Sequence, residues 1–266
     1  MGRNTTLWKV KNMEKIIRKI GIIINIIVFI ILCVSLIYGL IARFTSLSDH
    51  INTTKSQLTI VIAQSLTGMF VTSLPLIIEL KGRRVPTIIT ISDSVFIFLA
   101  SIIGEVFMFY YNVWYWDLIV HFLCSILLSA LWLSIITIIC KPVDGKYSFS
   151  PFYIALSTFC FIMAVGAVWE VIEFTIDSIF GTNMQKLMVE SSNIFNGGNT
   201  FENINGTDAE IATLFRTPKG YRYALLDTME DIVVDTLGAI LVSIFYFIMF
   251  MKKRFTMQQF EYTKKK

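Results

Sequence analysis

Charged residues are scarce in this sequence. Only 16% of the 266 residues are charged and 55% are hydrophobic, whereas about 25% of the residues in a soluble domain carry a charge. The mean hydropathy is +0.67. This composition leaves little room for a separate soluble domain, and we predict an all-α, polytopic integral membrane protein.

Several kinds of functional motif are also missing. The sequence has no glycine-rich phosphate loop, no nucleophile elbow, no internal repeat, and none of the histidine-rich signatures of lipid phosphatases or desaturases. Its cysteines lie inside apolar runs without metal-ligand spacing, which indicates core residues rather than a disulfide framework or a thiolate metal site: Cys33, Cys124, Cys140 and Cys160.

Long apolar runs are abundant instead. A helix needs about 20 apolar residues to cross the hydrocarbon core of a membrane. The first run is too long for the apolar region of a signal peptide and lacks an A-x-A cleavage site, so we expect it to be retained. The sequence therefore predicts a six-helix transmembrane domain over residues 20–250, with spans at about 20–42, 58–80, 88–110, 117–140, 151–180 and 226–250.

The basic residues predict the orientation of these spans. Most of the 23 lysines and arginines fall in segments that would share one side of the membrane. By the positive-inside rule, both the basic N-terminus (1–19) and the basic tail (251–266) are expected to be cytoplasmic. The net charge of +4 then reflects topology rather than nucleic-acid binding. Residues 181–225, rich in Asn and Gly, form a long outer loop between the last two spans.

Acidic residues interrupt the predicted fifth span. Its stretch WEVIEFTIDS carries Glu170, Glu173 and Asp177, which lie within an arc of about 60° on one helical face. The fourth span opens with YWDLIVHF, where Asp117 and His121 are four residues apart and share a face. Carboxylates inside a membrane are costly and often functional.

The sixth span carries a third acidic stripe. In LLDTMEDIVVDTLGA, Asp227, Asp231 and Asp235 recur every four residues and therefore follow one side of the helix. All three stripes fall in the outer part of the membrane, and Glu105 near the outer end of the third span could join them. Individually, such carboxylates are often helix caps, and a membrane histidine is often a hydrogen-bond donor between helices.

The three acidic spans contain no lysine or arginine that would neutralise them. Carboxylates at this density must hold protons or bind a cation. Oxygen ligands with one imidazole favour Mg²⁺, Mn²⁺ or Ca²⁺ over Zn²⁺. We predict a divalent metal site formed by Glu170, Glu173, Asp227 and Asp231, with Asp177, Asp235 and Glu105 as possible additional ligands.

The order of the motifs YWDLIVHF, WEVIEF, GTNMQ and LLDTMEDIVVDTLGA resembles the YjdF-like family of bacterial inner-membrane proteins. The resemblance covers residues 110–250 and implies a multi-pass protein of a bacterial plasma membrane, without implying an activity. About forty residues (186–225) stand where the family has a short turn. The residues that the resemblance marks are Asp117, His121, Glu170, Glu173, Gly181, Thr182, Gln185, Asp227, Thr228, Asp231, Gly238 and Ala239. Of these, Gln185 is a further candidate for the site.

A metal-dependent membrane enzyme is one function consistent with these residues. It would be a hydrolase or transferase that acts on a lipid-linked substrate at the outer leaflet. His121, oriented by Asp117, is the candidate general base. Basic residues just before the sixth span could attract an anionic substrate: Arg216, Lys219 and Arg222.

The alternative is a cation- or proton-coupled transporter, or another ion-binding membrane protein, in which the carboxylates relay ions or protons. Carrier sites lie near the membrane midplane, whereas these stripes are biased to one side. Either function places the protein in a lipid bilayer, does not require nucleic acid, and leaves the oligomeric state open.

Overall fold

The regular structure of the described residues is helical, apart from one two-residue β-ladder. A computed structural model describes residues 2–45, 55–113, 115–140, 142, 147–180, 182–185, 218–261 and 263–264. Its long helices are α1 (Gly2–Phe44), α2 (Lys55–Leu80), α3 (Thr87–Ile97), α4 (Trp116–Ile139), α5 (Pro151–Phe180) and α6 (Pro218–Met251). A π-helix, Phe98–Val106, continues α3.

Within the described residues, six helical segments are long and apolar enough to cross a membrane, which confirms the predicted number. They are Lys15–Phe44, Gln57–Leu80, Thr87–Val106, Trp116–Ile139, Pro151–Phe180 and Ala224–Met251. The sixth helix begins at Pro218, earlier than the apolar run alone predicts. Most of the predicted outer loop lies outside the described residues, which resume at that proline.

The helices pack as two groups of three. One group contains α1, α2 and α3, the other contains α4, α5 and α6, and α3 packs against α4 to join them. Polar side chains hold the first group together inside its apolar surroundings: the Asn25 amide donates to the Ser94 hydroxyl over 3.0 Å, and the Ser65 hydroxyl donates to Ser35 over 2.9 Å. Such bonds are a common means of joining membrane helices, which gain little from the hydrophobic effect in lipid.

The π-helix turns the chain between the two groups. The ring of Tyr110 packs against Gly104, where a Cβ would collide with it. Met108 then has a positive φ of 61° and precedes a short helix, Phe109–Asn112. This turn buries Tyr110 and Tyr111 against Val120 of α4, which fixes the start of α4 beside the end of the π-helix.

After α6, the chain packs across the end of the second helix group at which α4 finishes. A 3₁₀-helix, Met257–Phe260, begins with a capping box formed by Thr256 and Gln259. Beyond it, β2 (Thr263–Lys264) pairs antiparallel with β1 (Arg83–Arg84), which joins α2 to α3. The described part of the predicted basic tail therefore packs against the bundle. The buried cluster beneath it contains Leu133, Ile136, Ile154, Tyr246, Met257 and Phe260.

Candidate functional site

Helix α5 turns its acidic residues towards α4 and α6. Its buried positions recur every three or four residues along a single stripe, and Glu170, Glu173 and Asp177 continue that stripe to the end of the helix. The large apolar side chains Val171 and Phe174 are exposed on other faces. The carboxylates therefore face the helix bundle rather than lipid, as the helical period predicts.

His121 lies among carboxylates of α4 and α6. Its Nε2 atom is 3.8 Å from Asp117 Oδ1, one turn earlier on α4, and 3.7 Å from Asp231 Oδ2 on α6. Its Nδ1 atom is 3.4 Å from Asp235 Oδ1 on the other side of the ring. The imidazole thus separates two acidic environments, one at each ring nitrogen.

Asp117, His121 and Asp231 form a group that could hold a metal ion. Each offers one ligand atom, and the three atoms lie within 4.8 Å of one another. His121 and Asp231 are buried and Asp117 is partly buried. Three ligand atoms leave half of the positions of a six-coordinate cation open to water or a substrate.

Helix α5 contributes Glu170 to the same region. This residue is 4% exposed, and neither of its carboxylate oxygens makes a hydrogen bond with the described residues. Glu170 interacts electrostatically with His121, and the Thr228 hydroxyl lies close to it without meeting hydrogen-bond geometry. Glu173 also acts electrostatically on His121. Acidic groups from all three helices therefore surround one imidazole.

Asp177, predicted as a possible additional ligand, accepts hydrogen bonds from the residues that follow α5, and its ligand role remains a prediction. Its Oδ1 accepts hydrogen bonds from the Thr182 hydroxyl at 2.6 Å and from the Met184 backbone N–H at 2.8 Å. Its Oδ2 accepts one from the Gln185 backbone N–H at 2.8 Å. The Gln185 amide then donates to the Thr228 hydroxyl over 3.0 Å. Asp177 thus holds a buried turn after α5, and this turn contacts α6 through the Gln185–Thr228 hydrogen bond.

One comparison with known proteins gives a match. A family model described as predicted membrane protein (DUF2238) matches residues 24–252. The chain belongs to this family. The predicted YjdF-like resemblance is thereby confirmed, and it extends beyond residues 110–250 into α1, α2 and α3. No curated protein and no solved structure matches the chain.

The group that could hold a metal ion combines residues for which the sequence predicted different roles. Asp231 is the one predicted metal ligand in this group. The other two members, Asp117 and His121, were predicted as the catalytic pair. Ligand roles for Glu170, Glu173 and Asp227 remain predictions. All three side chains are buried.

The structure gives a hydrogen bond for Glu105 and does not describe the side chains of the predicted basic residues. Glu105, in the π-helix, accepts a hydrogen bond from the Gln64 amide of α2 at 3.2 Å. Arg216 lies outside the described residues. Lys219 and Arg222 belong to the first turns of α6, and the structure describes their backbone alone.

Two glycines allow close contacts between the helices around His121, and these contacts were not predicted. Gly166 lies on the buried stripe of α5, and a Cβ there would collide with the Asp235 carboxylate. At Gly238 of α6, a Cβ would come within 2.7 Å of the Ser125 hydroxyl on α4. The sequence shows that Gly166 shares a helical face with the acidic residues of α5. The helical period of α5 does not reveal which side chain of a neighbouring helix contacts that glycine.

Proposed function

We propose that this protein is a metal-dependent membrane enzyme, a hydrolase or transferase that acts on a lipid-linked substrate. The observation that carries the proposal is the buried Asp117–His121–Asp231 group, faced by a Glu170 carboxylate without a hydrogen bond among the described residues. Residues 116–139, 151–180 and 224–251 contain no lysine or arginine. A bound cation would compensate the acidic charge that these helices place together.

The ligand chemistry favours a hard divalent cation. Carboxylates outnumber the single imidazole, so Mg²⁺, Mn²⁺ or Ca²⁺ fits the donor set better than Zn²⁺. Asp117, His121 and Asp231 would hold the ion, and Glu170 of α5, which interacts electrostatically with His121, would complete the set. When bound, the ion would polarise a phosphoryl or carbonyl oxygen or activate water. His121 then acts as a ligand rather than as the general base expected from the sequence.

The position of the site supports an enzyme more than a carrier. His121 is near the beginning of α4 and Glu173 is near the end of α5. Towards the opposite end, the interface of the second helix group is filled by the apolar cluster that includes Leu133, Ile136 and Ile154. A carrier needs access to its site from both sides, typically near the midplane. A site near one end of the bundle suits a reaction at one membrane surface.

The surface in question is proposed to be the outer leaflet of a bacterial plasma membrane. Both termini are placed in the cytoplasm by the positive-inside rule, so the acidic end of the bundle faces out. A lipid or polyprenyl head group could reach the cation there. Arg216, Lys219 and Arg222 precede or begin α6 at this end and are proposed to attract an anionic substrate.

A cation- or proton-coupled transporter is the second candidate. The number of buried acidic groups favours it. Glu173, Asp227 and Glu230 are buried in addition to the Asp117–His121–Asp231 group. One divalent ion would not neutralise all of them if they were ionised. Protonated carboxylates could then form a relay.

Mn²⁺ binding tests the cation site. Calorimetry and electron paramagnetic resonance on the purified protein in nanodiscs should detect Mn²⁺ bound to the wild type. Asp117→Asn and Asp231→Asn should each weaken binding by more than about tenfold. Asp93→Asn is a matched control, because Asp93 is also a buried aspartate but belongs to α3 outside the metal group. A wild type without Mn²⁺ binding would refute the site and favour the proton relay.

Turnover of a lipid-linked substrate tests the enzyme. Proteoliposomes containing radiolabelled phospholipid or polyprenyl diphosphate should form a new product only with Mg²⁺ or Mn²⁺ present and with Asp231 intact. Cation binding without product formation, combined with cation-dependent uptake into sealed vesicles, would support the transporter instead.

A further inference from the structure

The two nitrogens of the His121 ring face different kinds of carboxylate. The Nε2 atom belongs to the group that could hold a metal ion, together with Asp117 and Asp231. The Nδ1 atom faces Asp235, which lies one helical turn after Asp231 on α6 and outside that group. Asp235 is therefore behind the ring with respect to the metal group.

Asp235 is held in that position by the packing of α5. It is 4% exposed, and its Oδ2 lies so close to Gly166 that a Cβ there would collide with it. Any side chain at position 166 would push the carboxylate away from its place beside His121. Gly166 is on the same buried stripe of α5 as Glu170, one turn further from the end of the helix. The space that Asp235 occupies is therefore next to the face of α5 that lines the site.

We propose that Asp235 is a positioning residue that fixes the His121 ring for cation binding, and that Gly166 provides the space in which its carboxylate lies. This inference rests on the cation site proposed above. A neutral imidazole carries one hydrogen, and a carboxylate beside Nδ1 accepts it. The lone pair of Nε2 then points at the cation, together with Asp117 and Asp231. Carboxylates commonly orient metal-binding histidines in this way.

The observed distance is consistent with this role. At 3.4 Å, the Nδ1–Asp235 contact is longer than an ordinary hydrogen bond of about 2.7–3.2 Å. We expect it to shorten when a cation fixes the ring at Nε2. The other acidic groups around the ring are Asp117 on the same helix, Asp231 on α6 and Glu173 on α5.

Mn²⁺ binding to protein labelled with ¹⁵N-histidine tests the inference. The sequence contains two histidines, so the variant His50→Gln leaves His121 as the sole labelled residue. Pulsed paramagnetic resonance should detect a ¹⁵N hyperfine coupling from a ring nitrogen bound to Mn²⁺. Asp235→Asn should lower Mn²⁺ affinity by about ten- to a hundredfold and reduce the fraction of bound Mn²⁺ that shows this coupling.

A double-mutant cycle tests the role of Gly166. Gly166→Ala should also weaken Mn²⁺ binding, because the new methyl group displaces the Asp235 carboxylate. In an Asp235→Ala background, where that carboxylate is gone, Gly166→Ala should cost little further affinity. Gly68→Ala is the matched control, since a Cβ there meets Ile97 and Leu32 in the other helix group. It should leave Mn²⁺ affinity unchanged.

The outcomes separate this inference from the function on which it rests. Failure of the His50→Gln protein to bind Mn²⁺ would refute the cation site and, with it, the role of Asp235. Normal Mn²⁺ affinity with an undiminished ¹⁵N coupling in Asp235→Asn would overturn the positioning role alone. If the losses of Mn²⁺ binding free energy in Gly166→Ala and Asp235→Ala were additive in the double variant, Gly166 would not be the residue that provides space for the Asp235 carboxylate.

Discussion

At the scale of single residues, Glu170 is a buried carboxylate whose surroundings do not stabilise its charged form. A buried polar group usually has a hydrogen-bond partner, because leaving it without one costs free energy. The Glu170 oxygens have none among the described residues, and acidic groups lie nearby. Such an arrangement is costly in a cation-free protein and becomes favourable when a cation or proton is bound.

Glu170→Gln should therefore have opposite effects on binding and stability. Loss of the charge should lower Mn²⁺ affinity by about tenfold or more. It should also raise the melting temperature of the cation-free protein, because it removes repulsion between like charges. Melting curves with and without Mn²⁺ measure both effects, and Glu173→Gln provides a second test. A variant that is destabilised in both conditions would indicate a purely structural carboxylate.

At the scale of secondary structure, the turn after α5 explains why an aspartate ends its acidic stripe. Thr182, Asn183, Met184 and Gln185 are all buried, so their polar groups need partners inside the protein. Asp177 supplies acceptors for two backbone N–H groups and one hydroxyl. With the turn held in this way, the Gln185 amide donates a hydrogen bond to the Thr228 hydroxyl on α6. Thr228 is one residue after Asp227 and three residues before Asp231 of the proposed cation site.

Asp177→Ala should loosen this turn without removing a ligand. Two buried N–H groups would lose their acceptor, at a cost of about 1–3 kcal/mol for each group left unsatisfied. Hydrogen exchange of residues 182–185 should accelerate and the melting temperature should fall. Mn²⁺ affinity should change far less than in Asp231→Asn.

Thr182→Val is the graded comparison, because it removes the hydroxyl donor and keeps both backbone bonds. It should produce a smaller change in hydrogen exchange than Asp177→Ala. Loss of Mn²⁺ binding in Asp177→Ala as complete as in Asp231→Asn would instead assign Asp177 to the ligand set.

At the scale of the whole molecule, the bundle has two chemically different ends. The end where α4 begins and α5 finishes carries the carboxylates around His121. The opposite end is closed by the 3₁₀-helix and by the pairing of β2 with β1. The two arginines of β1 and the basic residues Lys252, Lys253 and Arg254 are at this closed end, which agrees with its proposed cytoplasmic location.

Cysteine labelling in intact cells tests the orientation. In a background without the four native cysteines, an impermeant thiol reagent should modify cysteines placed at Asn196 or Gly206, within the predicted outer loop. It should not modify cysteines placed at Asp144 or Lys146, between α4 and α5. All four positions lie outside the described residues, so the prediction depends on topology alone. The reverse pattern would move the site to the cytoplasmic leaflet.

The sequence by itself determined the six spans and the inward direction of the acidic stripes. Span length follows from membrane thickness, and the shared face of Glu170, Glu173 and Asp177 follows from the helical period. Both are properties of single helices, so they do not depend on neighbours. The signature motifs also identified the family correctly.

Only the tertiary structure decided which groups meet. It placed Asp117 and Asp231 at one nitrogen of His121 and Asp235 at the other, and it used Asp177 for a turn. It also paired Glu105 with Gln64 of a different helix. The physical reason is that contacts between helices depend on their rotation and spacing, which are set by close packing at positions such as Gly166. Neither hydropathy nor period encodes that geometry.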